Sequence, residues 1–312
     1  MALISVVIPV LDEAGCIETL FERLSGIAAS AEDTFEYFFV DDGSKDGSRK
    51  IIRSLAAANE NIKYILLSRH FGHEPATTAG LDHASGDAVV IIDADLQDPP
   101  EVIPELIAKW KEGNEIVYAR RRSRKGEPLQ KKIASWVFYR TIRRLSAVDI
   151  PVDTGDFRLI DKCVVEAFRQ CREQSRFVRG LIAWTGFKQV AVHYDRDERY
   201  AGVTKYNFFK LAMLALDVVI GFSSIPLRIG ILLGLILCSL SLIVTLVVVC
   251  RFLFLGADIS LMTLMITWVH FLIGGQFLML GLVGEYIARV YRQVQNRPLY
   301  ITAEKSKDLT VK

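Results

Sequence analysis

The amino-acid sequence predicts an α/β domain built on a parallel sheet, followed by two membrane-spanning helices. Three features carry that expectation. Over the first two hundred residues, short apolar runs alternate with helical patterns, the signature of strands covered by helices. Two of those runs, Phe35–Val40 and Ala88–Ile92, are almost continuously apolar, as strands buried on both faces are. After residue 226 the composition changes to two long stretches with no charged side chain.

In chain order, strands are expected at Leu3–Val10, Phe35–Val40, Ile62–Leu67, Ala88–Ile92 and Glu115–Tyr118, with later ones near Phe157–Ile160 and Gln189–His193. Helical stretches fill the gaps at Ile17–Ala29, Ser48–Ala58, Pro75–His83 and Pro100–Lys111. The opening run, Met1 to Ile8, has no basic leader and no small-residue cleavage site, so it reads as a strand rather than an export signal.

Ile229–Cys250 is 22 residues without a charge, and Ile259–Gly284 is 26. As helices these would be roughly 33 and 39 Å long, enough to cross a hydrocarbon core of about 30 Å. Arg228 precedes the first stretch, and Arg289, Arg292 and Arg297 follow the second, while the loop between them holds only Arg251 and Asp258. The positive-inside tendency then places both ends of the hairpin, and the α/β domain, on the cytoplasmic side of the inner membrane. The expected organisation is a cytoplasmic domain over residues 1–206, an interfacial segment over 207–226, a transmembrane hairpin over 227–288 and a cytoplasmic tail over 289–312. Composition agrees: 51% hydrophobic residues beside 24% charged ones, with mean hydropathy +0.27, describe a soluble domain joined to something very apolar. The five cysteines follow no paired or metal-binding spacing, so reduced thiols are expected.

The most specific motif is Asp93-Ala94-Asp95-Leu96-Gln97-Asp98, directly after a predicted strand. Carboxylates at the carboxyl end of a buried parallel strand sit where open α/β sheets bind ligands. Three like charges so close repel unless a cation sits among them. A hard divalent ion, Mg²⁺ or Mn²⁺, answers that repulsion and also binds phosphate oxygens. The plain alternative is an acidic turn capping the helix that begins near Pro100. Asp41-Asp42-Gly43-Ser44 ends another apolar strand, with an ordinary turn as its alternative. The first strand runs out into Pro9-Val10-Leu11-Asp12-Glu13, a third polar strand end at the same edge. No glycine-rich dinucleotide fingerprint or Walker-type motif follows any strand, which disfavours a dinucleotide oxidoreductase or a P-loop NTPase.

These three motifs resemble the motif series of family-2 inverting glycosyltransferases. Thr154-Gly155-Asp156-Phe157-Arg158-Leu159, the run Arg199 to Tyr206 and the ending Gly281 to Ile287 narrow the likeness to polyprenyl-phosphate glycosyltransferases, closest to bactoprenol glucosyltransferases. The resemblance covers nearly the whole chain. Leu11-Asp12 and Thr204 depart mildly from the family pattern, and neither touches the metal motif. It implies a GT-A, Rossmann-like nucleotide-sugar-binding fold, UDP-glucose as donor, undecaprenyl phosphate as acceptor, inversion at the anomeric carbon and a homo-oligomer. By the same resemblance, Pro9, Leu11, Glu13, Asp41, Asp42, Asp93 and Ala94 hold the nucleotide-sugar. Asp93, Asp95 and Gln97 surround the metal. Asp156 stands where the family's catalytic base is proposed, and Arg199 and Lys205 contact phosphates.

Residues Arg120 to Arg144 carry ten basic side chains, Arg120, Arg122 and Lys132 among them, against the single acid Glu127. Trp136, Phe138 and Tyr139 are interleaved with them. A basic stretch with aromatics suits a membrane interface and a lipid phosphate, and the apolar spans favour that over nucleic acid. Two other functions stay in view: a processive polysaccharide synthase, whose Gln-x-x-Arg-Trp motif is missing, and a non-catalytic membrane scaffold, which the intact acids disfavour.

Overall fold

The structure is a computed structural model. It describes residues 1–121, 154–174, 176–195, 261–307 and 309, with isolated residues between 236 and 254. The strands are β1 (Leu3–Val10), β2 (Thr34–Asp41), β3 (Ile62–Leu67), β4 (Ala88–Ile91), β5 (Ile116–Arg121), β6 (Thr154–Asp161), β7 (Gln189–Tyr194) and β8 (Thr302–Lys305). They form one sheet in the order β7-β5-β6-β4-β1-β2-β3-β8. The helices are α1 (Ile17–Ser30), α2 (Ser48–Ala58), α3 (His73–His83), α4 (Ile103–Lys111), α5 (Lys162–Gln170), α6 (Val178–Trp184) and α7 (Leu261–Val294), with a 3-10 turn at Pro100–Val102.

The sheet is built around β1, which pairs in parallel with β2 on one side and β4 on the other. Period-two alternation splits its side chains between two faces. Ile4, Val6 and Ile8 join Tyr37, Phe39, Leu20 and Leu24 in one buried cluster. Val7 faces α3, and Gly80 makes that approach possible: a Cβ there would lie 2.2 Å from Val7 Cγ1. Each large apolar side chain buried this way contributes about 1.5–3 kcal/mol.

Three expectations need correcting. The sheet is mixed rather than parallel, because β6 runs antiparallel to β4 and β5, and β8 antiparallel to β3. Apolar patterning marks a strand but not its direction, which depends on where the chain is delivered. Second, α3 begins at His73, not Pro75. Proline is tolerated in a first turn, where its missing N–H would have had no helical partner. Third, the carboxyl-terminal tail does not stand apart: it supplies β8, paired Leu66↔Glu304. Glu304 meets Arg53 Nη2 at 2.6 Å and accepts from the Tyr64 hydroxyl at 3.0 Å.

By compactness the chain divides into two units. One holds residues 1–143, 148–207 and 298–312, and the other holds 144–147 and 208–297. In the second unit, α7 covers residues 261–284 of the later charge-free stretch and continues through Glu285, Arg289 and Arg292 to Val294. Among the described residues no helix is long and apolar enough to cross a membrane, and several α7 side chains lie outside the description.

Candidate active site

Antiparallel pairing of β4 with β6 runs from Ala88↔Asp161 to Ile91↔Arg158. Carried past the end of β4, that register sets Asp156 opposite Asp93, so the amino end of β6 meets the carboxyl end of β4. The first residue of α3 joins them there. His73 Nε2 lies 3.6 Å from Asp93 Oδ1 and 3.3 Å from Asp156 Oδ2. On the far side of Asp156, Arg179 of α6 places its Nε 2.9 Å from Oδ1. The buried Arg158 donates to the carbonyls of Gly155 and Asp156 at 3.0 and 3.3 Å, bracing the strand that carries the acid.

These charges set one another's protonation. Burial raises the pKa of Asp93, and the Asp156, Asp98 and Asp95 carboxylates add to that against the pull of His73, leaving it at about 6. Burial acts in the same sense on Asp156, but Arg179 and His73 outweigh it and hold that carboxyl well below the usual range. His73 would be lowered by burial, yet Asp93 and Asp156 lift it to about 10. Near neutrality, Asp156 is therefore an ionised carboxylate between two cations.

The turn after β4 carries the rest of the motif. Leu96 takes φ +59°, a region that costs a side chain about 1–2 kcal/mol, while burying that side chain in the main cluster. Asp95 is buried and accepts from the Gln97 backbone N–H at 3.2 Å. Asp98 accepts from the Tyr194 hydroxyl through Oδ1, with Arg121 Nη2 3.7 Å from that same oxygen. The third acid thus ties the turn to the ends of β5 and β7. Asp93 Oδ1 is buried without a hydrogen-bond partner. An oxygen of that kind fits a hard divalent cation, and the ligand atoms of His73 and Asp156 lie within 4.8 Å of it, His73 being available to an ion only after losing its proton.

Asp41 and Asp42 are engaged differently. Asp41, fully buried, pairs with Arg49 Nε at 2.6 Å and accepts from the backbone of Gly43 and Ser44. Asp42 accepts from the N–H groups of Phe71 and Gly72 at 2.7 and 2.9 Å, and its Oδ2 meets His70 Nδ1 at 2.7 Å. Pro9 and Leu11 continue β1 toward this edge, where Glu13 N–H donates to Ser48 Oγ and Asp12 N–H to Ser44 Oγ. Ala94 is buried behind the Asp93 turn. Arg120 stays on β5 opposite Thr154. Arg122, Lys132, Arg199 and Lys205 lie outside the described residues.

His73, Glu74 and Arg179 are site residues that motif reading passed over. A signal existed for the first two, since they follow Gly72 just beyond the carboxyl end of β3, the same sheet edge as both acidic motifs. Arg179 carried none.

Residues 5–168 match the family described as glycosyl transferase family 2. An uncharacterized glycosyltransferase of Synechocystis sp. is 44% identical over 301 residues, covering 96% of this chain and 95% of that protein. The bactoprenol glucosyl transferase of Shigella phage SfII is 40% identical and covered to 96% on both sides. A prophage bactoprenol glucosyl transferase homolog of Escherichia coli is 39% identical over 96% of this chain and 97% of its own. Among solved structures, a glucosyl-3-phosphoglycerate synthase from Mycobacterium tuberculosis aligns with TM-score 0.48 at 21% identity, over 70% of this chain and 78% of that one, too distant to transfer a ligand or a role.

Proposed function

The chain belongs to glycosyl transferase family 2, and on that premise we propose that it transfers glucose from UDP-glucose to undecaprenyl phosphate. The observation that carries this reading is Asp93 set against Asp156 at the ligand-binding sheet edge of a chain 40% identical to a bactoprenol glucosyl transferase. An oxygen of the lipid phosphate attacks the anomeric carbon, the bond from that carbon to UDP breaks, and the electron pair leaves on the diphosphate. A single in-line displacement inverts the anomeric centre. Asp93, with Asp95 and Gln97 beside it, would hold Mg²⁺ or Mn²⁺, which supplies Lewis-acid stabilisation to the leaving diphosphate.

Asp156 is read as an orienting group rather than a base. A phosphate monoester has its second pKa at about 6, so the acceptor is already mostly dianionic near neutral pH. A nucleophile without a proton gains little from general-base help. A carboxyl held low by Arg179 and His73 is also a poor proton acceptor. Its use is to fix geometry around the reacting phosphate.

We place the reaction at the cytoplasmic face of the inner membrane. The two charge-free stretches support a hairpin, and the connectivity supports an even number of crossings, because one compact unit contains both residues 1–143 and 298–312. The cations from Arg120 onward, with Arg122, Lys132, Arg199 and Lys205, are assigned to the phosphates of lipid and donor.

The test is transfer by the purified full chain in lipid, with undecaprenyl phosphate, Mg²⁺ and a panel of labelled nucleotide-sugars. UDP-glucose should label the lipid with inverted stereochemistry, and chelation should abolish it. A different sugar labelling the lipid replaces the donor, unchanged transfer after thorough chelation removes the metal, and no transfer from any donor overturns the reading.

A further inference from the structure

Asp156 is gripped from two elements that are themselves joined. From α6, Arg179 Nε lies 2.9 Å from one carboxylate oxygen, and from α3 His73 Nε2 lies 3.3 Å from the other. The residue after His73 closes the circuit: Glu74 Oε2 accepts from the Val178 backbone N–H at 2.7 Å. Val178 is the first residue of α6, so this N–H is one of the donors a helix start leaves without a helical partner. Glu74 therefore fixes where α6 begins, and the next residue of α6 is Arg179. The Arg179 guanidinium is further steadied over the Phe177 ring, 5.3 Å from its centroid. The ring of contacts runs His73, Glu74, Val178, Arg179, Asp156 and back to His73.

We propose that Arg179, set in place by Glu74, is a positioning residue that locks the rotation of the Asp156 carboxylate for sugar transfer. A carboxylate held at one oxygen still swings about its terminal torsion, whereas close contacts at both oxygens, from Arg179 and from His73, define its plane. Misplacing a reacting group by about 1 Å costs up to 100-fold in rate. The arrangement puts neighbouring residues of α3 to two uses, one touching the acid and one aiming its second partner. This inference rests on the transferase reading above.

The test is steady-state transfer by the full chain in lipid, with kcat and the KM for UDP-glucose measured separately. Arg179→Met should lower kcat about 100-fold with donor KM changed less than threefold, and Arg179→Lys should recover about tenfold of that loss. Glu74→Gln, which keeps a carbonyl oxygen for Val178, should turn over about tenfold faster than Glu74→Ala. A kcat for Arg179→Met within threefold of wild type overturns the proposal. So does a donor KM that rises as steeply as kcat falls, since Arg179 would then act on the donor itself. Should Arg179→Met not fold, judged by loss of a cooperative thermal unfolding transition, the two Glu74 variants decide, and equal rates in them overturn the ring. Wild-type protein that transfers no sugar defeats the transferase reading instead, a result distinct from all of these.

Discussion

Asp41 ends β2 and Asp42 follows it, while Asp93, just past the end of β4, meets Asp156 at the start of β6, all on one edge of the same sheet. Asp41 and Asp42 are saturated by backbone N–H groups, Arg49 and His70. Asp93 keeps a buried oxygen with no hydrogen-bond partner and a pKa raised to about 6, first by burial and then by neighbouring acids. Identical side chains at equivalent strand ends thus do opposite things. The first pair spends its hydrogen-bonding capacity on holding the loops after β2 and β3 together. The second retains capacity at a cost in stability, as groups kept for binding do.

Substitution at each end tests that contrast. The largest expected effect is at Asp93. Asp93→Asn should lower transfer by about 100-fold or more, roughly 2.7 kcal/mol or more, while leaving the Tm measured with chelator unchanged or higher. A Tm several degrees lower would mean that Asp93 holds the fold as Asp42 does. Next comes Gly43, between the saturated pair and the loop they grip. It sits at φ +83°, and a Cβ there would lie 2.5 Å from the His70 backbone nitrogen. Gly43→Ala should cost about 3 kcal/mol of unfolding free energy, combining backbone strain and overpacking. Wild-type stability in that variant would show that the two loops are free to separate.

The smallest effect, and the sharpest comparison, is Asp42→Asn. Its amide can accept from one backbone N–H but turns a donor toward the other donors now satisfied by Oδ2. The expected loss is about 1–3 kcal/mol of stability, with a smaller fall in transfer than Asp93→Asn shows. Denaturant unfolding beside transfer assays gives both quantities, and a larger activity loss at Asp42 than at Asp93 would reverse the assignment of roles.

Legibility in the sequence followed the same division. β1, β3 and α2 were readable to their end residues, because apolar alternation and helical patterning are local signals. Asp93 and Asp95 were readable as acids in the turn after a buried strand, which is where the structure has them. Asp156 was reached through family resemblance, since one acid in a polar stretch has no local mark. Arg179 was missed because it acts only through a partner 23 residues away, while His73 and Glu74, though marked by their place beyond β3, have partners 20 or more residues distant. Asp98 belongs to the acidic cluster as its spacing suggests, but its ties through Oδ1 to Tyr194 and Arg121 join segments that no local pattern connects.

The set of elements, the acidic edge and the two charge-free stretches are all written in short-range composition and periodicity. The tertiary structure alone decided that β6 enters antiparallel, in the register that sets Asp156 opposite Asp93. It also decided that α3 and α6 converge on that carboxylate and that the tail returns as β8. The physical reason is that strand direction, register and ion pairing depend on the relative placement of distant segments. That placement is fixed when the whole core is packed, and no single stretch of chain encodes it.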